Sequence, residues 1–192
     1  MKFFAGGILV FLGIISFVLL SMAVSAYNGL VSLRNQVDRA WANIEVILKQ
    51  RFDLIPKLIT ICEQFTQYER STIDKILAAR KSYGNAGTVS DKIKASAEMS
   101  QVLKRVFAIG EAYPELKSSE QFIEVQKALV SMESEIADRR ELYNESVTNF
   151  NTRCVQFPDV LFAGMLNYHS LSLFHVNAAE IISPEIKFKL PA

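Results

Sequence analysis

An uncharged apolar run near the start of the chain constrains the fold more than any other feature. It covers residues 3–26, which are 24 positions without Asp, Glu, Lys or Arg. As a helix the run would be roughly 36 Å long, enough to cross a bilayer core of about 30 Å with some tilt. We therefore predict an uncleaved membrane anchor over residues 1–26.

A cleaved signal peptide is the alternative interpretation of the same run. The small residues Ser25 and Ala26 before Tyr27 would suit a cleavage site. The apolar region of a signal peptide usually has about 7–15 residues, however, and this run is longer. Its length favours the anchor.

The flanking cations predict the orientation of the anchor. Lys2 precedes the run, and Arg34 and Arg39 follow it at a greater distance. Lys and Arg near a span favour the cytoplasmic side, so the closer Lys2 indicates a cytoplasmic N-terminus, whereas the more numerous Arg34 and Arg39 indicate the opposite orientation. We expect the cytoplasmic N-terminus. The bulk of the chain would then lie on the extracytoplasmic side.

Small residues in the anchor predict a surface for contact with another membrane helix. Gly6 and Gly13 are seven positions apart and share a helix face, and Ser21 and Ser25 form a small-xxx-small pair. Small side chains let membrane helices approach closely, so we expect self-association here. The alternative is that glycine is simply common in membrane helices.

The chain beyond the anchor begins with an amphipathic helical stripe. Its members alternate steps of four and three residues: Val37, Trp41, Ile44, Leu48, Arg51, Ile55, Leu58, Cys62 and Phe65. This spacing is typical of a packed helix. Because the stripe keeps its phase past Pro56, we predict one long helix that bends there. The alternative is a new helix capped by Asp53.

Three more helices are predicted, over about residues 69–83, 90–112 and from Ser118 or Ser119 onward. The last has the clearest pattern: Phe122, Val125, Leu129, Met132, Ile136, Arg140, Tyr143, Val147, Phe150 and Cys154. One step in it resembles a coiled-coil stutter. Each helix has a single apolar stripe that it must bury against the others. We predict an all-α fold, in which a transmembrane helix precedes an antiparallel four-helix bundle with long helices.

The chain divides, on this interpretation, into the anchor at 1–26, the helical bundle at 27–154 and an apolar C-terminal tail at 155–192. The tail has no sustained helical period. It is expected to pack back onto its own bundle, or to lie at the bilayer surface or against a neighbouring subunit. If the second and third helices follow each other in one direction, the tail lies at the far end of the bundle instead.

Composition and motifs give no sign of catalysis. The net charge of +1 argues against nucleic-acid binding. The two cysteines form no metal-binding spacing, and His169 and His175 lie in the tail without a second set of ligands. Phosphate-binding loops and hydrolase motifs are missing from the sequence. We predict no enzyme activity, no metal site and no cofactor.

Three arginines fall on or beside the apolar stripes: Arg51, Arg80 and Arg140. A buried charge must reach a carboxylate or water, and Glu69, Glu111 and Glu133 are candidate partners. We predict a buried polar layer that fixes how the helices align. The alternative is a layer that responds to a partner or ligand. Trp41 is predicted to be a core residue.

The sequence also resembles the LemA family in several stretches that keep their order along the chain. These are YNGLVSLRNQVDRAW (27–41), LKQRFDLIPKL (48–58), AAR (78–80), EAYPELKSSEQF (111–122), ESEIADRRELYNESVTNFN (133–151) and FP (157–158). The resemblance implies a bacterial membrane protein with a soluble four-helix bundle, and it does not imply an enzyme. Some relatives belong to magnetosome membranes. The expected location is the bacterial inner membrane, with a single span.

These observations lead to two functional hypotheses. The first is a non-enzymatic scaffold or assembly protein that associates with the lipid bilayer, with further copies of itself or with another membrane protein. The second is a membrane-tethered sensing module whose bundle binds a partner or ligand. Nucleic acid is not an expected partner of either.

Overall fold

The computed structural model describes residues 2–65 and 70–175, and its regular structure there is entirely helical. The six helices are α1 (Lys2–Phe65), α2 (Arg70–Asn85), α3 (Val89–Gly110), α4 (Pro114–Lys117), α5 (Glu120–Val155) and α6 (Asp159–Met165). The prediction of an all-α fold with an apolar N-terminal helix is confirmed.

Helix α1 continues without interruption through Pro56. The stripe predicted along it is buried from Val37 to Cys62, and Ile55 and Leu58 on either side of the proline have no exposed surface. One long helix is therefore confirmed, and the alternative of a new helix starting at Asp53 is wrong. The favourable packing on both sides outweighs the one backbone hydrogen bond that proline removes.

The described chain divides into two compact units, and α1 and α5 each contribute to both. Unit 1 comprises α1 up to Val46 together with Ala137–Leu173. Unit 2 comprises Ile47–Ile136 together with the end of the described chain, residues 174–175. Each unit buries its own set of apolar side chains.

Unit 2 contains the four-helix bundle. Its core joins apolar residues of α1, α2, α3, α4 and α5: Ile55, Leu58, Ile59, Ile61, Cys62, Ile76, Ala79, Met99, Leu103, Val106, Leu116, Phe122, Val125 and Leu129. Lys57 pairs with Glu124 and Arg51 with Glu133, so α1 and α5 are antiparallel in this unit. At 0% exposure, Leu129 is among the most completely buried members.

Helices α2 and α3 pack side by side as a hairpin in unit 2. The turn between them follows Asn85, and Thr88 caps α3 by accepting a hydrogen bond of 3.1 Å from the Asp91 amide. The alternative in which these two helices follow one another in one direction is therefore wrong. At the other end of α3, a Cβ atom on Gly110 would lie 2.7 Å from the Phe122 ring, so only glycine permits this close approach.

Unit 1 pairs α1 with the second half of α5, again antiparallel. The Trp41 ring packs edge-on against Tyr143 at 5.6 Å, which confirms Trp41 as a core residue. Towards the anchor, Arg34 lies 5.9 Å from the Phe150 ring, and Arg153 lies against Gly29. The end of α5 is thus close to the anchor.

The tail after α5 first forms α6 and then packs back along α5. The Asn151 side chain accepts a hydrogen bond from the Leu171 amide (2.8 Å) and donates one to the Leu171 carbonyl (2.9 Å). The Tyr143 hydroxyl donates to the Ser172 carbonyl at 3.2 Å. Packing onto the chain's own helices is therefore confirmed for these residues. The sequence pattern predicted neither α6 nor the single-turn α4.

Candidate functional site

The most completely buried charged group in the described chain is Arg51, on the apolar stripe of α1 in unit 2. Its side chain is 2% exposed. One terminal nitrogen donates hydrogen bonds to the Glu133 carboxylate and to the Ser100 hydroxyl (3.0 Å). The other donates to the Ser96 hydroxyl (2.7 Å) and the Ser96 carbonyl (3.3 Å). We call Arg51, Ser96, Ser100 and Glu133 the Arg51 cluster.

The local structure of three helices positions this cluster. Ser96 and Ser100 are four residues apart on α3, so both hydroxyls face the same side. The Ser100 hydroxyl also lies 3.0 Å from both Glu133 carboxylate oxygens and 3.1 Å from the Ser96 carbonyl. A single α1 side chain therefore makes contacts with α3 and α5 at one level.

The hydrogen bonds of the cluster offset the free-energy cost of burying a cation. The four N–H groups of the two terminal nitrogens meet four acceptor atoms, one of them a carboxylate oxygen. A buried ion pair stabilises little relative to apolar packing, but breaking it is costly because a charge is left without a partner. Sliding α1 by one turn would break all four contacts. The cluster thus favours a single alignment of these helices.

The other two predicted members of the polar layer are placed differently. Arg80 is partly buried in unit 2, with its guanidinium carbon 4.2 Å from the centre of the Phe52 ring. Its Nε atom is buried without a hydrogen-bond acceptor among the described residues. Arg140 is partly buried and belongs to unit 1. Of the three arginines, the structure fully buries Arg51.

The three carboxylates predicted as possible partners of these arginines do not share one role. Glu133 binds Arg51, as one of the alternatives predicted. Glu111 instead forms an exposed ion pair with Lys117, and Glu69 lies outside the described residues. A role of Arg80 and Arg140 in one layer with Arg51 stays a prediction.

A second ion pair lies in unit 1, where α5 meets α6. The Arg153 Nε atom is 2.8 Å from one carboxylate oxygen of Asp159, and its Nη2 atom donates to the other oxygen at 3.1 Å. A Cβ atom on Gly29 would lie 3.0 Å from that same Nη2 atom. The guanidinium therefore fills the space that glycine leaves on α1. We call these two charged residues the Arg153 pair.

The predicted membrane packing face lies on the anchor part of α1. Gly6, Gly13, Ser21 and Ser25 all belong to this helix. A Cβ atom on Gly13 would meet nothing within 4 Å, and Ser21 and Ser25 are exposed. At about 100° per residue, Gly6 and Gly13 lie about 20° apart, whereas Ser25 is about 120° from Gly13. The glycines and Ser25 therefore mark different sides of the helix.

The thiols and the buried phenol are kept neutral by their surroundings. Burial, with a smaller contribution from Glu63, raises the pKa of Cys62 to about 11. Burial and then Asp159 raise the pKa of Cys154. Burial also raises the pKa of Tyr143, with Arg34 opposing and Asp38 adding to that shift. Across residues 2–65 and 70–175, His, Cys, Asp and Glu form no group able to hold a metal ion.

Sequence patterns did not reveal Ser96, Ser100 and Asp159 as buried polar residues, although all three are at most 9% exposed. A signal existed for the serines, because their spacing of four on an amphipathic helix places both on one side. Nothing in the sequence distinguished Asp159 from a solvated acidic residue.

One helical segment of the described chain, Phe11–Gln64, is long and apolar enough to cross a membrane by length and composition. With the bundle of unit 2, this makes the chain a membrane-associated helical-bundle protein. The LemA family model matches residues 40–188, and the chain belongs to the LemA family.

The chain is similar to two named groups of proteins. One is "Magnetosome protein MamQ" of Magnetospirillum gryphiswaldense, with 24% identity over 189 residues, covering 83% of this chain and 70% of that protein. "Magnetosome protein MamQ 2" of Paramagnetospirillum magneticum is similar to the same extent. The other is "Protein LemA" of Metamycoplasma hominis, with 22% identity over 158 residues, covering 82% of this chain and 72% of that protein.

Proposed function

We propose that this protein is a non-enzymatic scaffold that self-associates in the bacterial inner membrane through its anchor. The observation that carries the proposal is that Gly6 and Gly13 share one face of α1, with open space at Gly13, where an added Cβ atom would meet nothing within 4 Å. A neighbouring helix could approach the backbone closely at this point and gain van der Waals contact. The similarity to proteins named for the magnetosome, a membrane-bounded structure, supports a role in organising membranes.

The bundle contributes rigidity to such a scaffold. In unit 2, the Arg51 cluster favours one alignment of α1, α3 and α5. A scaffold needs a fixed geometry so that partners bound to it keep a fixed spacing. The absence of catalytic motifs in the sequence is consistent with action by contact.

Self-association can be tested by energy transfer between donor- and acceptor-labelled full-length chains in liposomes. We expect transfer that falls as lipid dilutes the chains. Gly13→Leu should reduce the associated fraction about tenfold, because the added side chain separates the helices. Gly7→Leu is the matched control, since Gly7 also has open space around it but lies about 120° away on the helix.

Two results would count against the scaffold. Energy transfer no greater than that of randomly distributed monomers would exclude self-association. Equal effects of the two leucine substitutions would exclude the face marked by Gly6 and Gly13.

A sensing module is the second candidate function, and one observation favours it. The Glu133 side chain is 35% exposed although it binds the buried Arg51, so the Arg51 cluster has one side open to solvent. A ligand that competed for Glu133 would weaken contacts between three helices. Hydrogen exchange of residues 96–100 should then differ between native membranes and purified proteoliposomes. Identical exchange would contradict this candidate.

A further inference from the structure

Helix α6 exposes an apolar face that nothing in unit 1 covers. Phe157, just before the helix, and Leu161 and Met165 within it are 80%, 60% and 82% exposed. Leu161 and Met165 are four residues apart in α6 and therefore lie on one side of the helix. Val160 extends this surface, and the only charged residue of α6, Asp159, is buried. We call Phe157, Val160, Leu161 and Met165 the α6 face.

The position of α6 relative to the anchor follows from the Arg153 pair. Arg153 lies against Gly29 of α1 and binds Asp159, the first residue of α6. Gly29 is three residues beyond Ala26, where the predicted anchor ends, which corresponds to about 5 Å along a helix. The start of α6 is therefore within one side chain's length of the end of the membrane span.

The bilayer has a polar layer at this level. Its hydrocarbon core is about 30 Å thick and its full thickness about 40–45 Å, which leaves roughly 5–7 Å of headgroups on each side. Tyr27 is 44% exposed at the same level of α1, where tyrosine typically marks the membrane interface. The α6 face would thus meet the boundary between headgroups and acyl chains.

We propose that the α6 face lies in the lipid interface of the leaflet from which α1 emerges. The inference rests on membrane insertion of α1 but not on self-association. Lipid is favoured as the occupant because Arg153 holds the start of α6 against Gly29, just beyond the predicted span. The anchor also holds α6 beside the bilayer, so its effective concentration there is high without any further partner.

The Arg153 pair suits this location. It neutralises the Asp159 carboxylate and keeps it 6% exposed, so that α6 presents no negative charge to lipid headgroups. Because the two charges of the pair compensate each other, placing the α6 face against lipid brings no unpaired charge of this pair into the interface.

The proposal can be tested by quenching of tryptophan fluorescence by lipids brominated on their acyl chains. Full-length Leu161→Trp would be reconstituted in phosphatidylcholine–phosphatidylglycerol vesicles, with Met165→Trp as a second probe. Leu142→Trp is the matched control, because Leu142 is also 60% exposed but lies next to Tyr143, which packs on Trp41. Trp41 is 15 residues beyond Ala26, about 22 Å from the span, so the native tryptophan should add little quenching.

We expect brominated lipid to quench Leu161→Trp and Met165→Trp at least threefold more than Leu142→Trp. Equal quenching of all three would overturn the proposal. Protection of Leu161→Trp from acrylamide that grows with protein density, without quenching by brominated lipid, would assign the α6 face to a second copy and also overturn it. Flotation of the vesicles checks insertion separately, and a chain that stays behind would refute the anchor on which the proposal rests.

Discussion

Each unit contains a partly buried ion pair, but the buried member is the cation in unit 2 and the carboxylate in unit 1. In the Arg51 cluster of unit 2 the cation is 2% exposed and the carboxylate 35%, whereas in the Arg153 pair of unit 1 the cation is 41% exposed and the carboxylate 6%. Arg51 and Glu133 are 82 residues apart in sequence, and Arg153 and Asp159 are six apart. The first pair therefore aligns helices that are distant in sequence. The second pair holds the start of α6 against the end of α5.

The comparison predicts which residue of each ion pair costs more stability when it is removed. Removing the exposed member leaves the buried member without a counter-charge, and that is the costly direction. Three measurements test this contrast and a fourth compares the buried thiols of the two units, ordered from the largest expected effect to the smallest.

Glu133→Leu should lower the free energy of unfolding by about 3 kcal/mol, because Arg51 would keep its burial and lose its carboxylate. The measurement is guanidinium unfolding of the full chain in detergent, followed by circular dichroism. Glu124→Leu is the matched control on the same helix: its exposed pair with Lys57 should contribute less than about 1 kcal/mol. Equal losses from the two variants would show that burial of Arg51 has no special cost.

The two thiols, one in each unit, should resist alkylation in the folded chain. With the pKa of Cys62 at about 11 instead of 9.0, its thiolate fraction at pH 8 falls roughly hundredfold, and its reaction with iodoacetamide should slow at least as much. The neutral thiol stabilises the fold below pH 9, and this contribution is lost as the pH rises towards 11. Mass spectrometry of labelled peptides gives both rates, with the guanidinium-denatured chain as reference. A folded rate for Cys62 within tenfold of the denatured rate would contradict the prediction.

Arg153→Met should cost about 2 kcal/mol, since it leaves the buried Asp159 carboxylate without its cation. Asp159→Asn should cost less, about 1 kcal/mol, because the half-exposed arginine can reach water. The order is the informative result, and the same unfolding assay measures it. If Asp159→Asn proved the more damaging change, the contrast between the units would be wrong.

The double variant Arg51→Met with Glu133→Leu should leave stability within about 1 kcal/mol of the original or raise it, because apolar packing replaces the ion pair. Alignment of the helices should become less unique, which would broaden methyl resonances from α3. Sharp, unchanged spectra would show that the Arg51 cluster does not determine the register.

The sequence predicted the parts of the fold that depend on periodicity. The stripe of α1, its continuity through Pro56 and the long α5 all follow from steps of three and four residues. Arg51 was recognisable because a cation interrupts an otherwise apolar stripe. Its partner Glu133 was one of three candidates, and only the three-dimensional pairing of α1 with α5 distinguishes it.

The parts that were missed follow no such rule. Helix α6 escaped prediction because its apolar residues Val160, Leu161 and Met165 are exposed, so the expectation of an apolar interior does not apply. Helix α4 is a single turn of four residues, too short to show a period. The role of Ser96 and Ser100 depends on the packing of α3 against α1, which brings both hydroxyls within hydrogen-bonding distance of Arg51.

The return of the tail along α5 depends on main-chain atoms of the tail. The Asn151 side chain forms hydrogen bonds with the amide and carbonyl of Leu171, and the Tyr143 hydroxyl donates one to the carbonyl of Ser172. Every residue except proline offers the same amide and carbonyl. Mutations can therefore accumulate at positions 171 and 172 over evolutionary time without diverting the path of the segment, whereas Asn151 and Tyr143 are not free to drift.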